Sequence, residues 1–111
     1  MILGLIAALS GAAAIVAGAF GAHGAQGQAA EWLRTGGQYQ LIHAVAAVVA
    51  LGIARGQAAA VLFVVGGWIF GGTLYAMALG APRWFGAITP IGGLALIGGW
   101  LALGWALWQR P

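Results

Sequence analysis

The sequence predicts an all-α membrane protein, an up-down bundle of four transmembrane helices with a short interfacial helix between the first two. Three observations carry that prediction. Four stretches are apolar and long enough to cross a bilayer, which takes roughly 20 residues each. Charged residues make up only 5% of 111 residues, against 63% hydrophobic and a mean hydropathy of +1.01, whereas a soluble domain carries roughly a quarter charged. The intervening segments are too short for anything but antiparallel neighbours. A chain of this length forms one domain, residues 1–111.

The first span runs from Met1 to Ala22 without a charge. A cleaved signal peptide would need a basic leading region and a shorter apolar core, but no Lys or Arg precedes Arg34. Residues 23–37 are the longest polar stretch. Within them Ala29 to Thr35 reads as the interfacial helix, with Trp32 and Leu33 in lipid and Gly36-Gly37 ending it. The second span is read as 38–54, followed by a tight turn at Arg55-Gly56-Gln57. The third is 58–80 and the fourth 86–108, with Pro82 and Arg83 between them and Thr89-Pro90 starting or kinking the last helix. Trp32 and Trp84 on one side, and Trp105 and Trp108 on the other, suit an aromatic belt at both interfaces.

Small residues mark the helix contacts. Gly4, Ala7, Gly11, Ala14, Gly18 and Gly21 recur by threes and fours along the first helix, and Gly92, Ala95, Gly99, Ala102 and Ala106 do so on the fourth. Gly67 and Gly71 form a GxxxG on the third. Small side chains let backbones approach closely, replacing a hydrophobic drive that lipid cannot supply. The pattern leaves open whether stripes one and four meet each other or face another subunit.

Polar side chains in the spans gather in one half. With the side carrying His23 called distal, that half holds His23, Gln38, Tyr39, Gln40, His43, Thr73, Tyr75 and Thr89, and Ser10 is the exception near mid-membrane. His43 would sit roughly 8 Å below a helix start at Gln38, so the expectation is a buried polar cluster one to two turns below the distal surface. Such groups must pair or face the bundle interior.

Several function classes are excluded or disfavoured. The net charge of +3 comes from Arg34, Arg55, Arg83 and Arg110 against Glu31; arginines scattered one to a loop or terminus are not a nucleic-acid footprint. Without cysteine there is no thiolate site, and His23, His43 and Glu31 are too few for zinc. No acid lies in a span to carry protons, and no nucleophile or phosphate-loop motif is present. The chain therefore reads as a non-enzyme without catalytic, cofactor-binding or metal residues. Its partners are the lipid bilayer and a homo-oligomer or larger membrane complex. Two functional readings stand: a scaffold or accessory subunit, motivated by the small-residue stripes, and a binder or conduit for a quinone or lipid at the polar cluster. The arginines tie at two per side, and the terminal amine tips the expected orientation towards both termini in the cytoplasm.

The motifs Gly18-Ala19-Phe20-Gly21-Ala22-His23, Gln38-Tyr39-Gln40, His43-Ala44, Phe70-Gly71-Gly72-Thr73-Leu74-Tyr75, Ala87-Ile88-Thr89-Pro90-Ile91-Gly92-Gly93 and Gly99-Trp100 resemble the DUF423 family of small membrane proteins. The resemblance covers almost the whole chain. It implies a four-span membrane protein, of a family found in bacteria and mitochondria, and no activity, since the family's function is unknown; abundant Ala and Gly with no Lys suit a bacterium and so the bacterial cytoplasmic (inner) membrane. The family usually shows a serine where this chain has Gly71, and a bulkier residue at Gly37; Thr73 is then the remaining hydroxyl candidate on that stretch.

Overall fold

The computed structural model describes residues 2–109. Met1 and Arg110, including the terminal amine and the arginine used to orient the chain, lie outside the described residues. Four helices account for nearly all of the rest: α1 (Ile2–His23), α2 (Gly27–Leu51), α3 (Gln57–Ala78) and α4 (Thr89–Trp108), with a 3-10 helix at Arg83–Ala87. No strand occurs among the described residues. Three stretches are long and apolar enough to cross a membrane: Ile2–His23, Gln57–Ala78 and Arg83–Trp108.

One element differs from expectation. There is no separate interfacial helix over Ala29 to Thr35, and the second helix does not start at Gln38. Instead α2 is continuous from Gly27 to Leu51. Glycine disfavours helix by about 1 kcal/mol, so the sequence alone predicts a break at Gly36-Gly37. Both glycines are buried at helix contacts, and this outweighs the propensity. A Cβ on Gly36 would lie 3.3 Å from the Gly71 Cα, and one on Gly37 would lie 2.9 Å from the Ala14 carbonyl and 3.2 Å from the Gly18 nitrogen. The pair is where α1 and α3 pack against α2, not where α2 ends.

The turns follow local chemistry. Gly24 and Ala25 both donate their N–H to the Phe20 carbonyl, closing α1. Between α2 and α3 the chain reverses over Gly52 to Gly56, with Arg55 in the left-handed region at φ 66°. Gly56 has no room for a side chain, since its Cβ would fall on the Ala50 carbonyl. Pro90 occupies the first turn of α4, so Thr89-Pro90 starts this helix.

Helices adjacent in the chain are adjacent in space. α2 and α3 form the centre; α1 packs on α2 and α4 packs on α3. Both small-residue stripes are used inside the chain. On α1, a Cβ at Gly4 would meet Leu51, at Gly11 Ala44, and at Gly21 the backbone of Ala30 and Arg34. On α4, Gly92 abuts Gly66 and Phe70, and Gly99 abuts the Phe63 ring. On α3, Gly67 faces Gln40 and Gly71 faces Tyr75 and Gly36. The apolar core is built from Ala7, Ala47, Ala50, Ala60, Phe63, Val64, Leu96 and Leu103, among others. Large apolar side chains such as Ile15, Val16, Phe20, Leu94, Ile97 and Leu101 point outward, as a lipid-facing surface requires.

Close approach is not needed everywhere. An added Cβ at Gly18 or Gly72 meets nothing within 4 Å. Gly18→Ala and Gly72→Ala are accordingly expected to raise stability by up to about 1 kcal/mol, through the helix propensity of alanine over glycine, as read by reversible unfolding in mixed micelles. A loss of stability would show that these faces are covered.

Candidate functional site

With α2 starting at Gly27, His43 is sixteen residues into its helix, about 24 Å from its distal end at 1.5 Å per residue. Gln40 and His43 therefore lie deeper within α2 than a helix start at Gln38 implies, because the helix is uninterrupted, whereas Thr73 and Thr89 lie near the distal ends of α3 and α4. The polar residues form three separate interhelical couplings instead of one cluster.

The first coupling centres on Gln40, which is fully buried. Its Nε2 amide donates to the Ser10 hydroxyl on α1 at 3.0 Å, and its Oε1 accepts from the Tyr75 hydroxyl on α3 at 2.6 Å. A single side chain thus joins three helices. Ser10, assigned by sequence to the apolar half, belongs to this coupling and is itself buried. Its place beside Ala7 and Ala14 on the inward stripe of α1 was the signal that could have found it.

The second coupling centres on His43. Its Nδ1 lies 2.6 Å from the Tyr39 carbonyl one turn back, and its Nε2 lies 3.0 Å from the Trp100 indole nitrogen on α4. A carbonyl can only accept and an indole N–H can only donate. The ring is therefore neutral, with the proton on Nδ1 and the Nε2 lone pair receiving the Trp100 N–H. Both nitrogens are engaged, so no lone pair remains for a metal. Aromatic rings surround the imidazole: Phe63 at 5.6 Å and Trp100 at 5.9 Å between centroids, with Phe63 and Trp100 edge-to-face at 5.0 Å. Trp100 and Phe63 were not singled out from sequence as site residues. A tryptophan in mid-helix, away from either interfacial belt, needs an acceptor for its N–H, and that was the available clue.

The third coupling joins the distal ends of α3 and α4. Thr73 and Thr89 hydroxyls are 2.6 Å apart, and Thr73 Oγ1 donates to the Ile69 carbonyl at 2.8 Å. Thr89 Oγ1 in turn lies 3.4 Å from the Phe85 carbonyl, so each hydroxyl has a carbonyl one turn back and the other hydroxyl as partners. Thr73, the remaining hydroxyl candidate beside Gly71, is thus already bonded on both sides.

Among the remaining predicted residues, His23 and Gln38 are exposed and joined to none of these couplings, and Tyr39 is half-exposed with its ring 4.9 Å from Phe70. Among the described residues every buried side-chain nitrogen and oxygen has a hydrogen-bond partner, and no three His, Asp or Glu side chains come together. A shallow groove of about 440 Å³ opens beside the second coupling, lined by Tyr39, His43, Phe70, Leu94, Ile97 and Trp100 among others. At the distal rim the Arg83 guanidinium lies over the Trp32 ring at 5.9 Å, a cation–π contact tying the loop before α4 to α2.

Comparison with known proteins shows the family. The family model described as "Protein of unknown function (DUF423)" matches residues 17–93. The chain is 38% identical to a UPF0382 membrane protein of Haemophilus influenzae, with 88% of this chain and 86% of the relative aligned. It is 38% identical to a UPF0382 membrane protein of Staphylococcus saprophyticus, over 89% and 90% of the two chains. It is also 33% identical to the UPF0382 inner membrane protein YgdD of Escherichia coli, over 86% and 81%. No solved structure matches. With a family match over most of its length and three helices apolar enough to cross a bilayer, the chain belongs to the DUF423 family of multi-pass membrane proteins.

Proposed function

We propose that this chain is a non-enzymatic protein of the bacterial cytoplasmic membrane that acts by assembly, with itself or within a larger membrane complex. All four helices cross the bilayer and both termini lie on the cytoplasmic side. α2 is about 37 Å long at 1.5 Å per residue, enough for a span, and it turns Gln40 and His43 inward. The observation that carries this reading is the engagement of the span polar groups. Gln40, His43, Thr73, Tyr75 and Thr89 each bond to a neighbouring helix, which is how such groups fasten a bundle. No catalytic group is left idle among them.

The small-residue stripes no longer motivate assembly, because both are consumed by contacts within the chain. What supports it is the outward surface, where polar and charged side chains sit on a helix face that nothing in the chain covers. The test is the mass of the purified protein in nanodiscs, with affinity purification from native membranes alongside. More than one protomer or a stoichiometric copurifying protein is expected. A clean monomer without partner would remove the reading.

A second reading rests on the groove beside His43. Its apolar lining suits an acyl chain or an isoprenoid tail, as a binder or conduit for a lipid or quinone would need. Native mass spectrometry of the membrane-extracted protein should then release a lipophilic molecule that Ile97→Trp, filling the groove, displaces.

A further inference from the structure

One stripe of α2 runs from the distal rim down into the groove beside His43. Trp32, Gly36, Tyr39 and His43 follow one another by four, three and four, so they share a face of the helix. Leu33 and Gly37, one position on, turn instead to α1 at Gly21 and Gly18. Tyr39 and His43 line the groove together with Phe70, Leu94, Ile97 and Trp100. Trp32 therefore stands above the mouth of the groove, seven residues and about 10 Å higher than Tyr39. Arg83 is held there, 5.9 Å from the Trp32 ring. It opens the 3-10 helix that leads into α4, and so to Pro90 on the opposite wall.

The groove changes character with depth. At about 440 Å³ it is of ligand-site size, and its walls are apolar. The polar atoms of His43 and Trp100 are spent on each other and on the Tyr39 carbonyl, so nothing at the floor recognises a polar ring. Tyr39 is half-exposed, and none of the three couplings engages its hydroxyl. Side chains on a helix lean towards its N-terminus, which on α2 is distal, so this phenol lies between the apolar walls and Arg83. The top carries a cation. Arg83 is exposed, and a cation–π contact positions a guanidinium without neutralising it. The single acid of the chain, Glu31, lies about 100° round the helix from Trp32 and one turn from Arg34, which offsets it. The mouth of the groove is left positive.

An apolar trough, a hydroxyl above it and a cation above that match the parts of a glycerophospholipid taken from its tail: acyl chain, ester carbonyl, phosphate. A neutral lipid or an isoprenoid quinone has no charge to offer Arg83. We propose that this groove is a site for an anionic glycerophospholipid of the distal leaflet. Its phosphate pairs with Arg83, the Tyr39 hydroxyl donates to an ester carbonyl, and an acyl chain lies against Leu94, Ile97 and Trp100. The proposal rests on the groove reading above and names its ligand class. His43 makes no polar contact with the lipid, so its coupling to Trp100 is untouched.

Native mass spectrometry of the full chain, released from nanodiscs of equal phosphatidylglycerol and phosphatidylcholine, tests this. The chain should retain phosphatidylglycerol about fivefold over phosphatidylcholine, the attraction that one basic side chain supplies near a membrane surface. Arg83→Gln should return the retained lipids to equal amounts. Arg83→Lys should keep the excess, since charge and cation–π contact both survive. Arg34→Gln, at the same rim but off the stripe, should leave it unchanged. Tyr39→Phe should lower retention of both lipids alike. Equal retention by the wild-type chain overturns the inference, as does an excess that survives Arg83→Gln, is lost in Arg83→Lys or falls as far in Arg34→Gln. Unchanged retention in Tyr39→Phe overturns the ester contact. A neutral lipid or quinone displaced by Ile97→Trp but not by Arg83→Gln would sink this ligand and keep the groove reading. If Ile97→Trp displaces nothing, both fall.

Discussion

Gly92→Ala is expected to detach α4 from α3. The added methyl would fall on the Phe70 backbone nitrogen, 2.9 Å from the Gly66 carbonyl and 2.9 Å from the Phe70 Cα. These are backbone atoms of a helix and cannot rotate away, so the helices must separate. Separation lengthens the Thr73–Thr89 and His43–Trp100 bonds, which depend on the same spacing. Overpacking of a tight contact costs about 1–3 kcal/mol, and the coupled loss of two bonds adds to it. Unfolding in mixed micelles should show a loss at or above that range, and the Trp100 fluorescence should shift as its indole loses its acceptor. Wild-type stability for Gly92→Ala would mean that α4 does not sit where it is described.

Gln40→Leu is the second large effect, for a different reason. The substitution preserves bulk yet removes the one side chain that bonds α1, α2 and α3 together. Ser10 can turn to a carbonyl of its own helix, but the Tyr75 hydroxyl loses its partner at the Gly36–Gly71 contact. Two interhelical bonds at about 0.6 kcal/mol each, with an orphaned hydroxyl at about 1–3 kcal/mol, predict a loss near 2–4 kcal/mol. Tyr75→Phe in the Gln40→Leu background should recover part of it, because the orphan is removed. No recovery would mean that Tyr75 is satisfied by something else.

The sequence was informative wherever a single physical demand dominated. α1 and α3 could be delimited because an uninterrupted apolar run must be a span and must be helical. Gly4, Gly11, Gly18, Gly67, Gly71, Gly92 and Gly99 read from sequence as packing residues, since small side chains let helices approach closely; an added Cβ would meet a neighbour at each of them except Gly18. What the stripes touch was not legible, because close packing is equally available to a sister helix or a second copy. α2 was misread at Gly36-Gly37, where tertiary contact overrides propensity. That one error moved His43 and Gln40 towards the distal surface and hid Ser10 from them, although the three residues are level. Gln40, His43, Thr73, Tyr75 and Thr89 stand out in the sequence because polar groups are rare in spans. Their division into three couplings depends on helix rotation, which sequence spacing does not give.

The central claim is that the polar groups within the helices hold the bundle together, leaving function to the assembly surface. A double-mutant cycle on His43 and Trp100 tests it most directly. His43→Phe, Trp100→Phe and the double variant would be unfolded in lipid bicelles, with bound lipophilic molecules and oligomer mass read on the same samples. The account predicts a coupling of about 0.6–1.7 kcal/mol, with oligomer mass and lipid content unchanged in all three. Zero coupling, together with loss of a bound molecule or of assembly in His43→Phe alone, would contradict it and make His43 part of a binding site.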